Sequence, residues 1–277
     1  MTRMLRAAPL ALLLATFACH EDGSPTAPSL GGSLPGGYRL VWSDEFNRDG
    51  APDPSHWAYD VGGHGWGNNE LQFYTADRRE NARVEDGHLV IEARREAWEG
   101  LDYTSARLVT KGRGDWTYGR IEVRAQLPSG RGSWPAIWTL GSTTPLRWPD
   151  DGEIDIMEHV GFDHGAVHAS IHTSRYNHVD ATQRTATTAV PDASTSFHVY
   201  VTEWTPDRID TSIDGRVYFS FAREPNGGRA AWPFDAPQYL LLNVAVGGNW
   251  GGQRGVDDTT LPYRFLIDYV RVYQRTP

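Results

Sequence analysis

The chain has 277 residues, with 26 Lys and Arg against 35 Asp and Glu, which gives a formal net charge of −9. With 39% hydrophobic and 22% charged residues, it has enough apolar material for a core and too little charge for a disordered chain. The acidic balance argues against nucleic acid or an anionic membrane surface as the partner. A single cysteine excludes an internal disulfide.

The beginning of the chain has the pattern of an export segment followed by a tether. Two arginines precede an apolar run over 10–15 that is too short to span a bilayer. Ala18-Cys19 then resembles the lipobox of bacterial lipoproteins, in which the cysteine is lipidated; simple cleavage after Ala18 or later is the alternative. We expect an export signal over 1–18, a flexible tether rich in Gly, Pro and Ser over 19–37, and an exported protein, either a cell-surface or periplasmic lipoprotein or a secreted one.

From Tyr38 onward, apolar and polar residues alternate with a period of two, which predicts β-strands. The apolar run 239–246 predicts a strand that is buried on both faces, and 265–274 predicts the last strand. No stretch shows a long amphipathic helical period, although 229–237 has room for one short helical turn. The pattern predicts one all-β domain over 38–277, an antiparallel β-sandwich.

Two Asp-Gly pairs predict tight hairpins. Asp86-Gly87 and Asp214-Gly215 each lie between two alternating runs. Both residue types tolerate the positive φ angles that a two-residue hairpin turn requires. We therefore expect antiparallel pairing of the strands on either side of each pair.

Three acidic residues in one predicted strand are the strongest functional signal. On a regular strand Glu153 and Asp155 share a face and Glu158 points away, but a β-bulge around Ile156-Met157 would bring Glu158 to the same face. Two carboxyl groups about 5–5.5 Å apart are typical of a retaining glycosidase, and a third would keep their pKa values apart. A solvated acidic strand and a calcium site are the alternatives on spacing alone.

Other motifs surround the acidic strand. They are Gly-Trp-Gly-Asn-Asn-Glu-Leu-Gln-Phe-Tyr-Thr at 65–75, Gly-Arg-Gly-Ser-Trp-Pro-Ala-Ile-Trp-Thr-Leu-Gly at 130–141, Trp-Pro at 148–149, Ala-Ser-Ile-His-Thr at 169–173 and Leu-Asn-Val-Ala-Val-Gly-Gly-Asn-Trp at 242–250. Together with Glu-Ile-Asp-Ile-Met-Glu at 153–158, they resemble glycoside hydrolase family 16, specifically its bacterial laminarinases, which are endo-β-1,3-glucanases. The resemblance runs from about Tyr38 to the C-terminus. The bulged acidic motif is typical of the β-1,3-glucanases, whereas lichenases of the family usually lack the extra residue.

The resemblance implies a concanavalin A-like jelly roll with a concave cleft, which would hydrolyse β-1,3-glucosidic bonds in laminarin-type glucans with retention and without a catalytic cofactor. By this match Glu153 is the nucleophile, Glu158 is the acid/base, and Asp155 tunes both. One alternative is a β-glucan-binding protein without turnover, and another is a relative that acts on mixed-linkage β-1,3-1,4-glucan. We expect a monomer.

Four tryptophans are predicted to bind the sugar chain, because flat rings suit the apolar faces of sugars. Trp134, Trp138 and Trp148 flank the acidic strand. Trp134 and Trp138 lie four residues apart, so on a strand they share a face. By the family match, Trp250 lies at the edge of the cleft. Packing in the hydrophobic core is the alternative for these rings.

Polar residues are also assigned by the match. Asn69 and Arg107 correspond to positions that bind sugar hydroxyls, with a surface loop and a salt bridge as the alternatives. His172 is expected to face the cleft and to donate to a sugar or to a catalytic carboxylate. The histidines between 159 and 178 raise the further hypothesis of a zinc metallohydrolase, although no cysteine is available there.

Family members often hold one calcium ion on the convex side. The matching positions here are Glu45, the backbone carbonyl of Gly87, and Asp268. Oxygen ligands from distant strands suit a hard cation. Such an ion would hold the N- and C-terminal strands together and would take no part in catalysis; ordinary charges at strand ends are the alternative.

Overall fold

The structure, a computed structural model, describes residues 33–34 and 36–275. The predicted export signal over 1–18 and Cys19 lie outside the described residues. The predicted tether differs from the structure at its end, because Ser33–Leu34 form a short strand that pairs with Tyr38–Asp44. The intervening Gly36 and Gly37 have φ angles of 84° and 77°, which glycine adopts without steric cost and which allow the chain to turn back.

Nearly all regular structure in the described residues is β-strand. In chain order the strands are β1 (Ser33–Leu34), β2 (Tyr38–Asp44), β3 (Ala58–Tyr59), β4 (Gln72–Tyr74), β5 (Ala82–Glu85), β6 (His88–Trp98), β7 (Leu101–Ser105), β8 (Arg107–Val109), β9 (Asp115–Trp116), β10 (Gly119–Gln126), β11 (Ser133–Gly141), β12 (Glu153–His159), β13 (Ala166–His172), β14 (Arg184–Ala189), β15 (His198–Trp204), β16 (Arg208–Ile213), β17 (Arg216–Ala222), β18 (Gln238–Val246) and β19 (Tyr263–Arg275). Helix α1 (Gly228–Ala231) precedes β18, and a 3₁₀ turn, Asp258–Thr260, precedes β19.

The strands form two sheets. One has the order β17-β16-β15-β10-β19-β6-β7-β4, with β1, β2 and β5 attached to it, and the other has the order β14-β13-β12-β11-β18-β8-β3, with β9 attached. This confirms the predicted all-β sandwich. Pairing departs from the antiparallel prediction at β4 and β7, which run parallel.

Both predicted hairpins are present. Glu85 pairs with His88 across the first turn, and Ile213 pairs with Arg216 across the second. At the turn positions, φ is 52° and 75° for Asp86-Gly87, and 50° and 79° for Asp214-Gly215. Positive φ at both central residues is the conformation that matches the twist of the flanking strands.

The strand predicted over 239–246 is buried on both faces, as expected, because every residue of β18 is buried. Leu240 and Leu242 belong to the main core between the sheets. Tyr239 and Leu241 point the other way, into a second apolar cluster on the opposite face of this sheet. That second cluster supports the tryptophans described below.

Helical structure is minimal in the described residues. The four-residue helix α1 partly overlaps the short turn predicted within 229–237. No helix in this part of the chain is both long enough and apolar enough to cross a membrane.

Candidate active site

The acidic strand β12 contains the predicted bulge. Between Asp155 and Glu158, β12 advances three residues while its partner β13 advances two, from Ser170 to His168. The register with β11 also shifts at this place. The extra residue changes the side-chain alternation of the strand, so the three acidic side chains need not follow a strict period of two.

The bulge sorts the side chains of β12 into two environments. Three apolar side chains lie in the main core: Ile154, Ile156 and Met157. Three carboxyl groups line one cleft on the opposite face of the sheet: Glu153, Asp155 and Glu158. The predicted convergence of the acidic residues is therefore present, and the alternative of a solvated acidic strand does not describe a cluster in which Asp155 is only 3% exposed.

Two indole groups hold the outer carboxyls in place. Trp148 Nε1 donates to Glu153 Oε2 over 2.7 Å, and Trp134 Nε1 donates to Glu158 Oε1 over 3.1 Å. Because an indole N–H can only donate, each bond requires an acceptor oxygen on the carboxyl group. These tryptophans were predicted as sugar platforms; their rings do line the cleft, and their N–H groups also orient the acidic residues.

Burial raises the pKa of two of the carboxyl groups. The pKa of Asp155 lies well above its ordinary value because of burial, then the negative charge of Glu153 and a hydrogen bond with it. Burial likewise raises the pKa of Glu158 well above its ordinary value, and the charge of Asp155 adds to the effect, while His172 and Trp134 oppose it. The cluster thus favours protons on Asp155 and Glu158.

His172 lies beside these groups, as predicted. Its Nε2 is 3.2 Å from Asp155 Oδ2 and 3.8 Å from Glu153 Oε1. The histidine is 6% exposed, on β13 directly opposite Glu153. It lies within ion-pair distance of both acidic residues.

The histidines do not form a metal site of their own. Within residues 33–34 and 36–275, the one group of three potential ligand atoms within 4.8 Å of one another is Glu153, Asp155 and His172. His159 is fully buried, and neither of its ring nitrogens has a hydrogen-bond partner. The hypothesis of a zinc site built on the histidines therefore has no support in the geometry.

Arg107 lies in the cleft wall between two tryptophans. Its guanidinium carbon is 4.7 Å from the centre of the Trp66 ring and 4.6 Å from that of Trp138, and its Nε is 3.0 Å from Asp60 Oδ2. Arg107 thus forms a salt bridge and also lines the cleft, while its contact with sugar hydroxyls stays a prediction. Trp138 shares the cleft face with Trp134, as predicted.

We call the part of the cleft around Arg107 the aromatic half. Its rings are Trp66, Trp134, Trp138, Trp148 and Tyr239. The part beyond the carboxyl groups, which we call the polar half, is lined by His168, Ser170, Gln183, Thr185, Asn249, Trp250 and Gln253. Trp250 is therefore at the cleft, as predicted, and its ring packs edge-on against Trp134 and His168 at 5.6 and 4.9 Å between centres.

The structure places Asn69 differently from the prediction. Its side chain is exposed and donates to Asn249 Oδ1 over 2.8 Å, whereas Asn68 lines both halves of the cleft. Asn69 has a φ of 54°, which is typical of a turn in the chain. Asn69 thus connects two loops of the cleft wall.

The pairing of β19 with β2 and β6 brings the three positions predicted for calcium close together. β19 pairs with β6 through Ile267 and Leu89, and with β2 through Val270 and Asp44. This brings Asp268, Gly87 and Glu45 to the same region of the sheet that contains β19, which we call the outer sheet because the cleft lies on the other one.

Their side chains, however, are paired with arginines. Glu45 accepts two hydrogen bonds from Arg271, at 3.0 and 2.8 Å, and Asp268 accepts one from Arg124 at 2.6 Å. Each of the two carboxylates is already neutralised by a guanidinium group, which would have to move before a cation could bind.

Several cleft residues had no role assigned from the sequence. Trp66 and Glu70 belong to a motif that was recognised as a whole, and Tyr239 belongs to a strand that was predicted only as buried. His178, considered only as a metal ligand, packs at a tilt of 41° against Trp148, with 4.9 Å between the ring centres. Their positions depend on pairing between segments distant in the chain, which local patterns do not report.

A cleft that combines a pair of carboxyl groups with several indole rings is typical of enzymes that hydrolyse sugar chains. Comparison with known proteins agrees. The profile described as Glycosyl hydrolases family 16 matches residues 69–271, and the chain belongs to this family.

Relatives cover nearly the whole chain. A beta-glucanase of Rhodothermus marinus is 53% identical over 272 residues, which are 96% of this chain and 92% of that protein. The X-ray structure of the laminarinase from Rhodothermus marinus has a TM-score of 0.85 at 55% identity and covers 87% of this chain and 98% of that one.

A third relative was crystallised with an oligosaccharide. It is a mutant of SCLam, described as a non-specific endo-β-1,3(4)-glucanase of family GH16, with 1,3-β-D-cellobiosyl-glucose at its active site. Its TM-score is 0.85 at 49% identity, over 88% of this chain and 97% of that one.

Proposed function

We propose that this glycoside hydrolase is an endo-β-1,3-glucanase that cleaves laminarin-type β-glucans with retention of configuration. The observation that carries the proposal is the convergence of Glu153, Asp155 and Glu158 in a cleft with tryptophans on both sides. The similarity to a laminarinase over most of the chain supports the substrate class.

In the first step, Glu153 attacks the anomeric carbon. Trp148 Nε1 holds the Glu153 carboxyl group by a hydrogen bond to Oε2, and the raised pKa of Asp155 favours a proton there, which removes a like charge beside the nucleophile. Glu158 gives its proton to the glycosidic oxygen as the bond to the leaving sugar breaks. The product of this step is a glycosyl ester at Glu153 and a released sugar chain.

In the second step, Glu158 acts as a base. Its carboxylate, ionised after the first step, takes a proton from water as the water oxygen attacks the anomeric carbon. The ester bond to Glu153 breaks and the product keeps the β configuration. Both steps use carboxyl groups of this chain, so the chemistry needs no cofactor.

Product analysis on several polysaccharides tests the proposed function. Purified protein would be incubated with laminarin, barley β-glucan, agarose and carrageenan side by side. We expect short β-1,3-linked oligosaccharides from laminarin and no products from agarose or carrageenan. Cleavage of barley glucan would extend the specificity to mixed linkages, as the description of SCLam states for that protein; an intact laminarin would refute the proposal.

We also propose that the protein is exported and anchored by lipid at Cys19. Ala18-Cys19 after a short apolar run supports this localisation. Mass spectrometry of protein from a host with the lipoprotein pathway should show a lipid-modified Cys19. An unmodified N-terminus beyond Cys19 would support secretion without an anchor.

Two further predictions concern the assembly of the molecule. We expect the enzyme to act as a monomer, because the three cleft carboxyls and both halves of the cleft come from a single chain. Structural calcium at Glu45, Gly87 and Asp268 stays a prediction, supported by register and opposed by the arginine pairs described above.

A further inference from the structure

Glu70 is a carboxyl group in the cleft wall that the two catalytic steps do not use. It lies in the aromatic half, in the same wall as Asn68 and Arg107. Burial raises the pKa of Glu70, whereas hydrogen bonds from Gln72, Tyr74 and Asn68 and the charge of Arg107 lower it. A partly buried carboxyl group needs hydrogen-bond donors around it. The structure supplies them through two series of hydrogen bonds, each of which ends at Glu70.

The first series begins at a backbone N–H. Val246 N donates to Gln72 Oε1 over 2.7 Å. Because a backbone N–H can only donate, this bond fixes the Gln72 amide with its oxygen toward Val246. The Gln72 Nε2 group therefore faces Glu70 and donates to Oε2 over 2.7 Å.

The second series begins at an indole. Trp138 Nε1 donates to Asn243 Oδ1 over 2.7 Å, so the Asn243 amide group faces Tyr74 and donates to its hydroxyl oxygen over 3.0 Å. The Tyr74 hydroxyl then donates its own hydrogen to Glu70 Oε2 over 3.1 Å. Both series start at groups that can only donate, and both end at Glu70 as an acceptor.

The direction of these bonds determines what Glu70 can bind. A carboxylate has about four lone-pair sites on its two oxygens; the two series take two of them, both on Oε2, and Asn68 takes a third. Its remaining acceptor capacity faces a cleft where Arg107 supplies a cation between Trp66 and Trp138. An acceptor beside a donor, next to flat rings, matches a sugar unit whose hydroxyls can both donate and accept.

We propose that Glu70 is a substrate-binding residue that accepts the hydrogen of a sugar hydroxyl on the unit held by Trp66, Arg107 and Trp138. The inference rests on the proposed glucanase function and assigns a specificity role within it. A hydroxyl can donate to Glu70, whereas a sulfate ester or a carboxylate at the same place offers only acceptors and a like charge. Glu70 therefore selects a neutral sugar with a free hydroxyl at this position.

The test is the Glu70→Gln variant, assayed on laminarihexaose. The carbonyl of the introduced glutamine can still accept from both series, which turns its NH₂ group toward the cleft, so a donor replaces the acceptor. We expect KM to rise roughly ten- to hundredfold, the range for a hydrogen bond to a charged group. The value of kcat should stay close to that of the wild type, because binding of substrate and transition state is lost equally.

Two further variants distinguish a direct contact between Glu70 and the sugar from an indirect effect on the structure of the cleft wall. Tyr74→Phe breaks the second series but keeps the carboxylate, so it should lower the melting temperature and raise KM less than Glu70→Gln does. Glu203→Gln, which removes an equal charge from a residue paired with Arg120 on the other sheet, should leave KM unchanged.

The outcomes distinguish this inference from the proposed function. A wild type that does not hydrolyse laminarihexaose would overturn both. Hydrolysis by the wild type with an unchanged KM in Glu70→Gln would overturn the inference alone. An equal rise of KM in Tyr74→Phe would also overturn it, because the hydrogen-bond series would then act through structure and not through a contact of Glu70.

Discussion

The carboxyl groups of Asp155 and Glu158 hold their protons more tightly in the folded chain than in the unfolded chain. Burial raises the pKa of both. A carboxyl group whose pKa is raised on folding contributes its full stability below the unfolded pKa, about 4.3 for Glu. That stability is lost as the pH rises through the folded pKa, because the unfolded state releases its proton first.

The Glu158→Gln variant should show this loss directly. A glutamine cannot ionise, so the melting temperature of the variant should increase relative to that of the wild type as the pH is raised from about 4 to about 9. Each kcal/mol of relieved free energy corresponds to roughly 2–4 °C for a domain of this size. Thermal unfolding of both proteins across the pH range measures the difference.

Glu85→Gln is the matched control for this measurement. Its hydrogen bond with Arg83 lowers the pKa of Glu85, so its replacement should give a small trend of the opposite sign or none. A difference between Glu158→Gln and the wild type that does not vary with pH would contradict the raised pKa of Glu158.

At the level of single residues, the sequence predicted which residues line the cleft more reliably than it predicted the contacts between them. The acidic triplet, four tryptophans and Arg107 were all singled out from motifs, and all of them line the cleft. The indole bonds to Glu153 and Glu158 were not foreseen, because Trp148 reaches Glu153 from a loop whose path no local pattern specifies. The inward position of Asn68 was not foreseen either, because the family match pointed to Asn69.

Among the elements, β12 most directly links sequence to chemistry. Its bulge lets Ile156 and Met157 both pack in the core while Glu158 faces the cleft. The flanking pairs, Asp155 with Ser170 and Glu158 with His168, are in regular register on either side of the extra residue. Removal of one residue between them would restore regular alternation without moving either pair.

Deletion of Met157 should therefore be tolerated. We expect the variant to fold and to keep glucanase activity, because Glu158 would still lie opposite His168. It should be less stable, since removing a buried methionine side chain costs about 2–5 kcal/mol. Circular dichroism, thermal unfolding and laminarin hydrolysis would measure the three properties.

An alanine inserted after Met157 is the contrasting variant. It moves the glutamate one residue further along the strand from Asp155 and out of its pair with His168, so activity should fall as far as it does in Glu158→Ala. Loss of activity in the deletion variant, with folding intact, would contradict this account of the bulge.

Elements with purely local signals were predicted well. Both Asp-Gly hairpins and the buried strand β18 follow from neighbouring residues alone. The parallel pairing of β4 with β7 did not follow, because Gln72–Tyr74 and Leu101–Ser105 are distant in the chain and no local pattern reports their contact. Strand β1 was missed because Ser33–Leu34 lie in a segment whose composition is that of a tether.

At the level of the whole molecule, a bound calcium ion would raise the free energy of unfolding. If an ion binds at Glu45, Gly87 and Asp268, it must displace the guanidinium of Arg271 from Glu45. Binding to the folded state alone would stabilise it by about 2.7 kcal/mol at a hundredfold excess over Kd. The melting temperature should then fall on chelation, with little change in kcat, because these positions are on the outer sheet.

Calorimetric scans with calcium and with chelator would measure this shift. Magnesium at the same concentration is the control, since it prefers a smaller and more rigid octahedral site. An unchanged melting temperature after verified metal removal would show that the arginine pairs replace the ion in this protein.

Glu153 as the nucleophile and Glu158 as the acid/base are the central assignments. Glu158→Ala should lose roughly 10²–10⁴-fold on glucan, whose leaving group needs a proton. A β-glucoside with an activated aryl leaving group needs none, so the variant should form the ester at Glu153 and then stall, because no base activates water. Azide attacks without a base and should restart turnover.

The configuration of the azide product is the most direct measurement. Nuclear magnetic resonance of the product should show a β-glycosyl azide from Glu158→Ala, because azide displaces Glu153 from the face that the leaving group vacated. Glu153→Ala should instead give the α-azide, since azide then attacks from the side of the missing carboxylate. An α-azide from Glu158→Ala, or near-normal glucan hydrolysis by Glu153→Ala, would contradict the assigned roles.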